Sequence, residues 1–200
     1  MSIRLAQTLL LLAALVATHA HALTVEVQAP DELKALLTQH LETARAARLG
    51  EKPDAEEMAR LQRQSEQTAR DLLATEGYFS PRVESVVERA GDDWRVVYRV
   101  DPGARATVRS VKLSFEGGLQ TREDAAGLKG RIGRGFSLKQ GMPFRQADWE
   151  AAKLAVPRPL LAGSYPAARI AASEARIDPA VRAADLTLTV DSGPAFFYGQ

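Results

Sequence analysis

An internal repeat is the strongest constraint on what this chain can fold into. Leu73, Tyr78, Arg82 and Val83 have counterparts at Leu160, Tyr165, Arg169 and Ile170, each 87 residues later. Val100, Asp101 and Gly103 recur as Val190, Asp191 and Gly193, each 90 residues later. A three-residue difference in hairpin length reconciles the two offsets. Repetition at a fixed spacing marks one supersecondary unit used more than once. Two copies of a unit, with the start of a third, describe a tandem array rather than an enzyme.

The local patterns assign the elements of each copy. Leu23 to Gln28 alternates and carries β-branched residues, which predicts a strand. Pro30 and Asp31 open a helix, with Asp31 as N-cap, and Leu33, Leu36, Leu37, Leu41 and Ala44 share one face of it up to Gly50. A second helix runs from near Asp54 to Glu76, with Met58, Leu61, Ser65, Leu72 and Leu73 facing inward, and stops at Gly77. Arg82 to Arg89 and Trp94 to Asp101 form a strand pair around a Gly91-Asp92-Asp93 turn. The second copy begins with a strand from Thr107 to Phe115 and a helix from about Thr121 to Arg131. A glycine-rich connector and a helix from about Arg145 follow. Its strand pair is Tyr165 to Ile177 and Ala183 to Asp191, around an Asp178-Pro179 turn. Pro157 and Pro159 fall inside the expected last helix, and each interior proline costs ~3 kcal/mol, so a break is predicted over Val156 to Pro159. The fold class is α+β, with tandem βααββ modules.

The N-terminus is a targeting signal rather than part of this array. Arg4 precedes an uncharged apolar run from Leu9 to Ala17, and Ala20-His21-Ala22 supplies a small-x-small cleavage pattern. Nine residues fall well short of the ~20 a membrane-spanning helix needs. Residues 1–22 are therefore read as a signal peptide cleaved after Ala22. Losing Arg4 reduces the 26 basic residues to 25, equal to the 25 acidic ones. A neutral mature chain lacks the positive excess that nucleic-acid binding requires.

Composition also narrows the chemistry. The chain has no cysteine and three histidines, of which His19 and His21 belong to the leader. With His40 alone remaining, thiolate zinc sites, cysteine nucleophiles and Ser-His-Asp triads are poor fits. His40 reads as a structural residue on a helix. Gly127, Gly130, Gly133 and Gly135 with Lys129, Arg131 and Arg134 suggest an anion loop, but match neither phosphate-binding pattern and read as a mobile basic connector. The adjacent carboxylates Glu56-Glu57 and Asp92-Asp93 point apart or face water, which does not suit acid–base work. Trp149 reads as core. No catalytic residue, cofactor or metal site is expected.

A βααββ unit with Gly77-Tyr78-Phe79 entering its second strand, closing in Val100-Asp101-Pro102-Gly103, resembles a POTRA domain. Tandem copies behind a signal peptide resemble the periplasmic region of TamA-like outer-membrane assembly factors of the Omp85 superfamily. The stretch Asp191-Ser192-Gly193-Pro194-Ala195-Phe196-Phe197-Tyr198-Gly199 is the part most similar to them. Three departures stand out: Ser164 replaces the first copy's Gly77, the prolines interrupt the last helix, and a third POTRA module and barrel do not follow within these 200 residues. The implied organisation is 1–22 signal peptide, 23–104 first module, 105–194 second module and 195–200 the start of a third. Each module is expected to be a three-stranded mixed sheet of order 1-3-2 packed against two helices.

That order leaves the strand after the Gly-Tyr turn at an open edge, whose unpaired main chain can accept an extended partner. The expected partner-binding edges are Arg82, Val83, Glu84, Ser85 and Val86 in the first module. In the second they are Tyr165, Arg169, Ile170 and Ala171. The alternative use of such an edge is defensive, with Arg82, Glu84, Glu88 and Arg89 discouraging aggregation. The resemblance implies a TamB-like inner-membrane partner and unfolded outer-membrane or autotransporter clients, met at the periplasmic side of a Gram-negative outer membrane. A BamA-like or two-partner secretion transporter, or a stand-alone cell-division scaffold, are the alternatives.

Overall fold

The computed structural model describes residues 23–122 and 125–196. The predicted leader and its cleavage point at Ala22 lie outside the described residues, as do the last four. The first copy forms β1 (Leu23–Gln28), α1 (Asp31–His40), α2 (Glu42–Arg48), α3 (Ala55–Thr75), β2 (Arg82–Ala90) and β3 (Asp93–Asp101). The second forms β4 (Thr107–Glu116), α4 (Gly118–Thr121), α5 (Ala126–Gly135), α6 (Gln146–Ala155), α7 (Arg158–Leu161), β5 (Arg169–Asp178) and β6 (Ala183–Asp191).

Each copy builds the same three-stranded sheet, in order β1-β3-β2 and β4-β6-β5. The first strand runs parallel to the central one, and the hairpin partner runs antiparallel to it. A parallel pair needs a long crossover, and the helices supply it while covering one face. Two apolar clusters result. One gathers Leu33, Leu37, Leu41, Met58, Leu73, Val96 and Tyr98. The other gathers Leu119, Phe144, Trp149, Leu160, Leu186 and Leu188. Leu73 and Leu160, matched by the repeat, are both fully buried. At the centre of the first core, the Thr43 hydroxyl donates to the Tyr98 hydroxyl at 3.1 Å, and the Thr43 amide donates to Ser65 Oγ at 3.0 Å. Burial, outweighing these bonds, pushes the Tyr98 phenol above its usual range.

Local differences from the sequence reading have physical causes. The first helix does not run unbroken to Gly50, because Leu41 is extended (φ −62°, ψ 135°) between α1 and α2. The Arg48 guanidinium stabilises that break by donating to the free carbonyls of Thr38 and Gln39, both at 2.9 Å. The first residue of α1 is Asp31, and Pro30 takes the N-cap position instead, with no side-chain cap. Asp54 does cap α3, accepting from the Glu57 amide at 2.9 Å. In the second copy the first helix divides into α4 and α5, and the glycine-rich segment is helical rather than a loop. Ile132 and Phe136 bury against the second core there, and Lys139 donates to the carbonyls of Gly133 and Arg134 at the helix end. Tertiary burial outweighs the ~1 kcal/mol cost of each helical glycine. The predicted break is present but shorter than expected, spanning Val156 and Pro157, because Pro159 fits the first turn of α7.

β4 carries a bulge between Val108 and Ser110 that turns Arg109 toward Asp185 of β6. Arg109 and Ser110 both donate to the Asp185 carboxylate, and these bonds lower its pKa to about 2. A carboxylate depressed in the folded state stabilises above its unfolded pKa of about 4 and ceases to do so as pH falls through about 2. Urea midpoints of the second module should therefore drop between pH 5 and pH 2. Asp185→Asn should flatten that part of the profile.

Candidate functional site

β2 is an edge strand with a periodic split of its main chain. Its two-residue turn closes on the pair Ala90 and Asp93, so alternation directs residues 82, 84, 86, 88 and 90 toward β3. The N–H and C=O groups of Val83, Ser85, Val87 and Arg89 then face outward. The Val83 carbonyl accepts a 3.4 Å bond from Arg70 of α3, which agrees with this orientation. Ser85 is clasped from the same helix: its hydroxyl donates to Glu66 at 2.6 Å and accepts from Gln62 at 2.8 Å. Val83 is buried, whereas Arg82, Glu84 and Val86 are exposed. The five residues expected here share one continuous edge flanked by α3.

The second expected edge needs a correction. Tyr165 is not on β5, which begins only at Arg169. It is 4% exposed inside the second core, and its amide donates to the Leu160 carbonyl at 3.2 Å. The apolar ring is worth more buried than at a solvated edge, so the chain turns through 165–168 before the strand starts. Arg169 and Ile170 pair with Asp191 and Val190, and the register shift after Ile170 leaves Ala171 as the extra residue of a bulge. Arg169 also forms a 2.7 Å ion pair with Asp191. The edge is thus interrupted where it was expected to bind.

The feature missed in the sequence is a joint between the modules. Gly77 has φ +92°, and a Cβ there would lie 2.1 Å from the Phe144 carbonyl oxygen. The Gly77 carbonyl accepts from the Ala106 amide at 2.8 Å. The Phe79 and Phe144 rings sit 6.0 Å apart, and Arg105 lies over the Tyr78 ring at 4.8 Å. Arg145 makes a two-pronged bond to Glu76 at 2.8 and 3.0 Å. Gly-Tyr-Phe was legible as a signature, but nothing local to it announces Phe144 and Arg145 as its partners.

The joint is repeated. Ser164 matches Gly77, and its carbonyl accepts from the Phe196 amide at 2.7 Å, as Gly77 accepts from Ala106. Asp101 and Asp191 each bind the amide of the glycine two residues on, at 3.0 and 2.9 Å. Those glycines, Gly103 and Gly193, share positive φ values of 68° and 62°. The recurring Asp-x-Gly is therefore the turn that ends a module and directs the chain to the next contact.

Other candidates take structural places. His40 is exposed on α1. Trp149 is 3% exposed and meets Phe136 edge to face at 6.4 Å. Among the described residues, no group of three or more His, Asp or Glu is placed to hold a metal ion. No described helix is long and apolar enough to cross a membrane.

Residues 24–102 match the family model of the POTRA domain, TamA domain 1. The first module is thus similar to a POTRA domain. The second repeats its strand order, so the fold is a tandem of POTRA-like units. Similar solved structures include POTRA1-2 of the periplasmic domain of Omp85 from Anabaena, at 15% identity and TM-score 0.43, covering 86% of this chain and 95% of that one. BamA POTRA3-5 of Haemophilus influenzae is similar at 18% identity and TM-score 0.42, covering 86% of this chain and 66% of its own. The N-terminal domain of Omp85 from Thermosynechococcus elongatus is similar at 16% and 0.42, covering 85% and 61%. The chain spans less than two thirds of the last two. No curated protein matches it.

Proposed function

We propose that this chain is the periplasmic POTRA region of a TamA-like outer-membrane assembly factor, exported by a signal peptide cleaved after Ala22. Its modules occupy 23–104 and 105–194, and residues 195–200 begin a third. The POTRA match over residues 24–102 carries this reading. The bond from Phe196 to Ser164 supports a further module, because the equivalent bond from Ala106 to Gly77 joins the first two.

The working surface is the main chain of β2, since the bulge at Ala171 interrupts the corresponding edge of β5. Backbone pairing reads side chains weakly, so one edge serves many unfolded barrel or autotransporter clients. A TamB-like inner-membrane partner is the second ligand of the same kind. No step of bond making or breaking is involved, and the role is that of a scaffold.

Val87→Pro tests the mechanism with little disturbance to the sheet. Proline removes an outward N–H and leaves the β3 ladder intact, as edge positions allow. Binding of a urea-diluted, fluorescently labelled barrel fragment should weaken at least fivefold while the circular dichroism spectrum is unchanged. Undiminished binding would exclude β2 as the acceptor.

A further inference from the structure

A third edge differs in character from the two above. β4 is the outer strand of the second sheet. Its start is already occupied: Val108 exchanges two 2.8 Å bonds with Gly141 and Met142, and Phe144 donates to Ala106 at 2.8 Å. The chain turns away at Lys139–Met142, so this short antiparallel cover ends at Val108. Further along, the Glu116 carbonyl accepts from Ser192 on the β6 side. Alternation then turns the N–H and C=O groups of Val111, Leu113 and Phe115 outward. No backbone bond beyond the sheet reaches these three among the described residues.

The ground beside this open stretch is apolar and positive. A cleft of about 360 Å³ lies between Val111 and Leu113 of β4 and Phe136 and Leu138 beyond α5. From Ala125 to Ala147 the sequence has five basic residues and no acidic one. Arg145 belongs to the joint, but Lys129, Arg134 and Lys139 have no carboxylate partner among the described residues. Lys139 lines the cleft, its Nζ donating to the carbonyls of Gly133 and Arg134, while the Arg134 guanidinium lies back beside Gly130. Lys112 is exposed on the opposite face of the strand, and Glu116 is the strand's own carboxylate, at its far end.

We infer that the open edge of β4 from Val111 to Phe115 is a docking site for an acidic, extended segment of a partner protein. The segment pairs antiparallel, continuing the direction of residues 141–144. Its apolar side chains enter the cleft beside Lys139, while its carboxylates, on the opposite face of the added strand, meet Lys112. Charge selects the segment, and the main chain holds it. This is a different edge and a different selectivity from the β2 reading, so the two can fail separately.

The test uses the full chain and a labelled nine-residue peptide alternating valine and glutamate. Three comparisons read the inference: lysine for glutamate, N-methylation of every second amide, and the protein variant Lys112→Glu. Each should weaken binding about tenfold, and the acidic peptide should slow amide exchange at Leu113 and Phe115. The N-methylated peptide leaves the protein untouched, so a misfolded variant cannot mimic the result. Equal binding of the methylated or lysine peptide would overturn the inference, as would protection confined to Val83–Val87. Capture by vesicles of anionic phospholipid, without any peptide-induced protection of β4, would assign the charge to lipid and overturn it too.

Discussion

Gly77→Ala should loosen the joint and let the two modules reorient. The new Cβ would meet the Phe144 carbonyl oxygen at 2.1 Å and Arg105 Cγ at 3.0 Å, so backbone must move. A side chain at φ +92° adds strain of roughly 1–2 kcal/mol on its own. Relief requires parting the Gly77–Ala106 bond and drawing Glu76 away from Arg145. Spin labels at the exposed positions Glu88 and Glu174, introduced as cysteines, should give a narrow distance distribution in the parent and a broad one in the variant. Gly91→Ala is the control. Gly91 has φ +66° but open space around it, so the substitution costs about 1–2 kcal/mol without widening the distribution. A distribution that stays narrow in Gly77→Ala would mean that the joint does not set the geometry.

Leu73→Ala and Leu160→Ala should each remove about 2–5 kcal/mol from one module. Both side chains are fully buried, and they occupy the same place in the repeat. The two tryptophans let each module report for itself. Trp94 belongs to the first sheet, where its indole donates to the Pro53 carbonyl at 3.0 Å, and Trp149 belongs to the second core. With the other tryptophan changed to phenylalanine, urea unfolding should show Leu73→Ala shifting the Trp94 transition by the full amount. The Trp149 transition should move less than half as far, the remainder being what the joint transmits. Equal shifts at both reporters would indicate one merged core.

These effects show which parts of the molecule were legible in the sequence. β1 and β6 fall on the expected residues, and β2, β3 and β4 within one residue, because period-2 burial and glycine turns are local signals. The break after α6 follows equally locally from Pro157. The failures depend on distant groups. Leu41 keeps helical spacing on both sides, and only Arg48 reaching back to Thr38 and Gln39 accounts for the interruption. The glycine-rich stretch has the composition of a loop, yet Ile132 and Phe136 have a core to enter. The sequence reading extends the strand back to Tyr165, whereas burial of its ring makes a corner there and the strand begins at Arg169. The β2 edge was legible as strand order. The joint was not, since its halves lie some seventy residues apart in the chain.

Amide hydrogen exchange of the full chain with and without an unfolded outer-membrane barrel client tests the central claim most directly. The outward amides of Val83, Ser85 and Val87 should exchange readily alone and slow at least tenfold with client, while Glu84 and Val86, already bonded to β3, change little. Client binding that leaves those three amides exchanging at their free rate would contradict main-chain capture at the β2 edge.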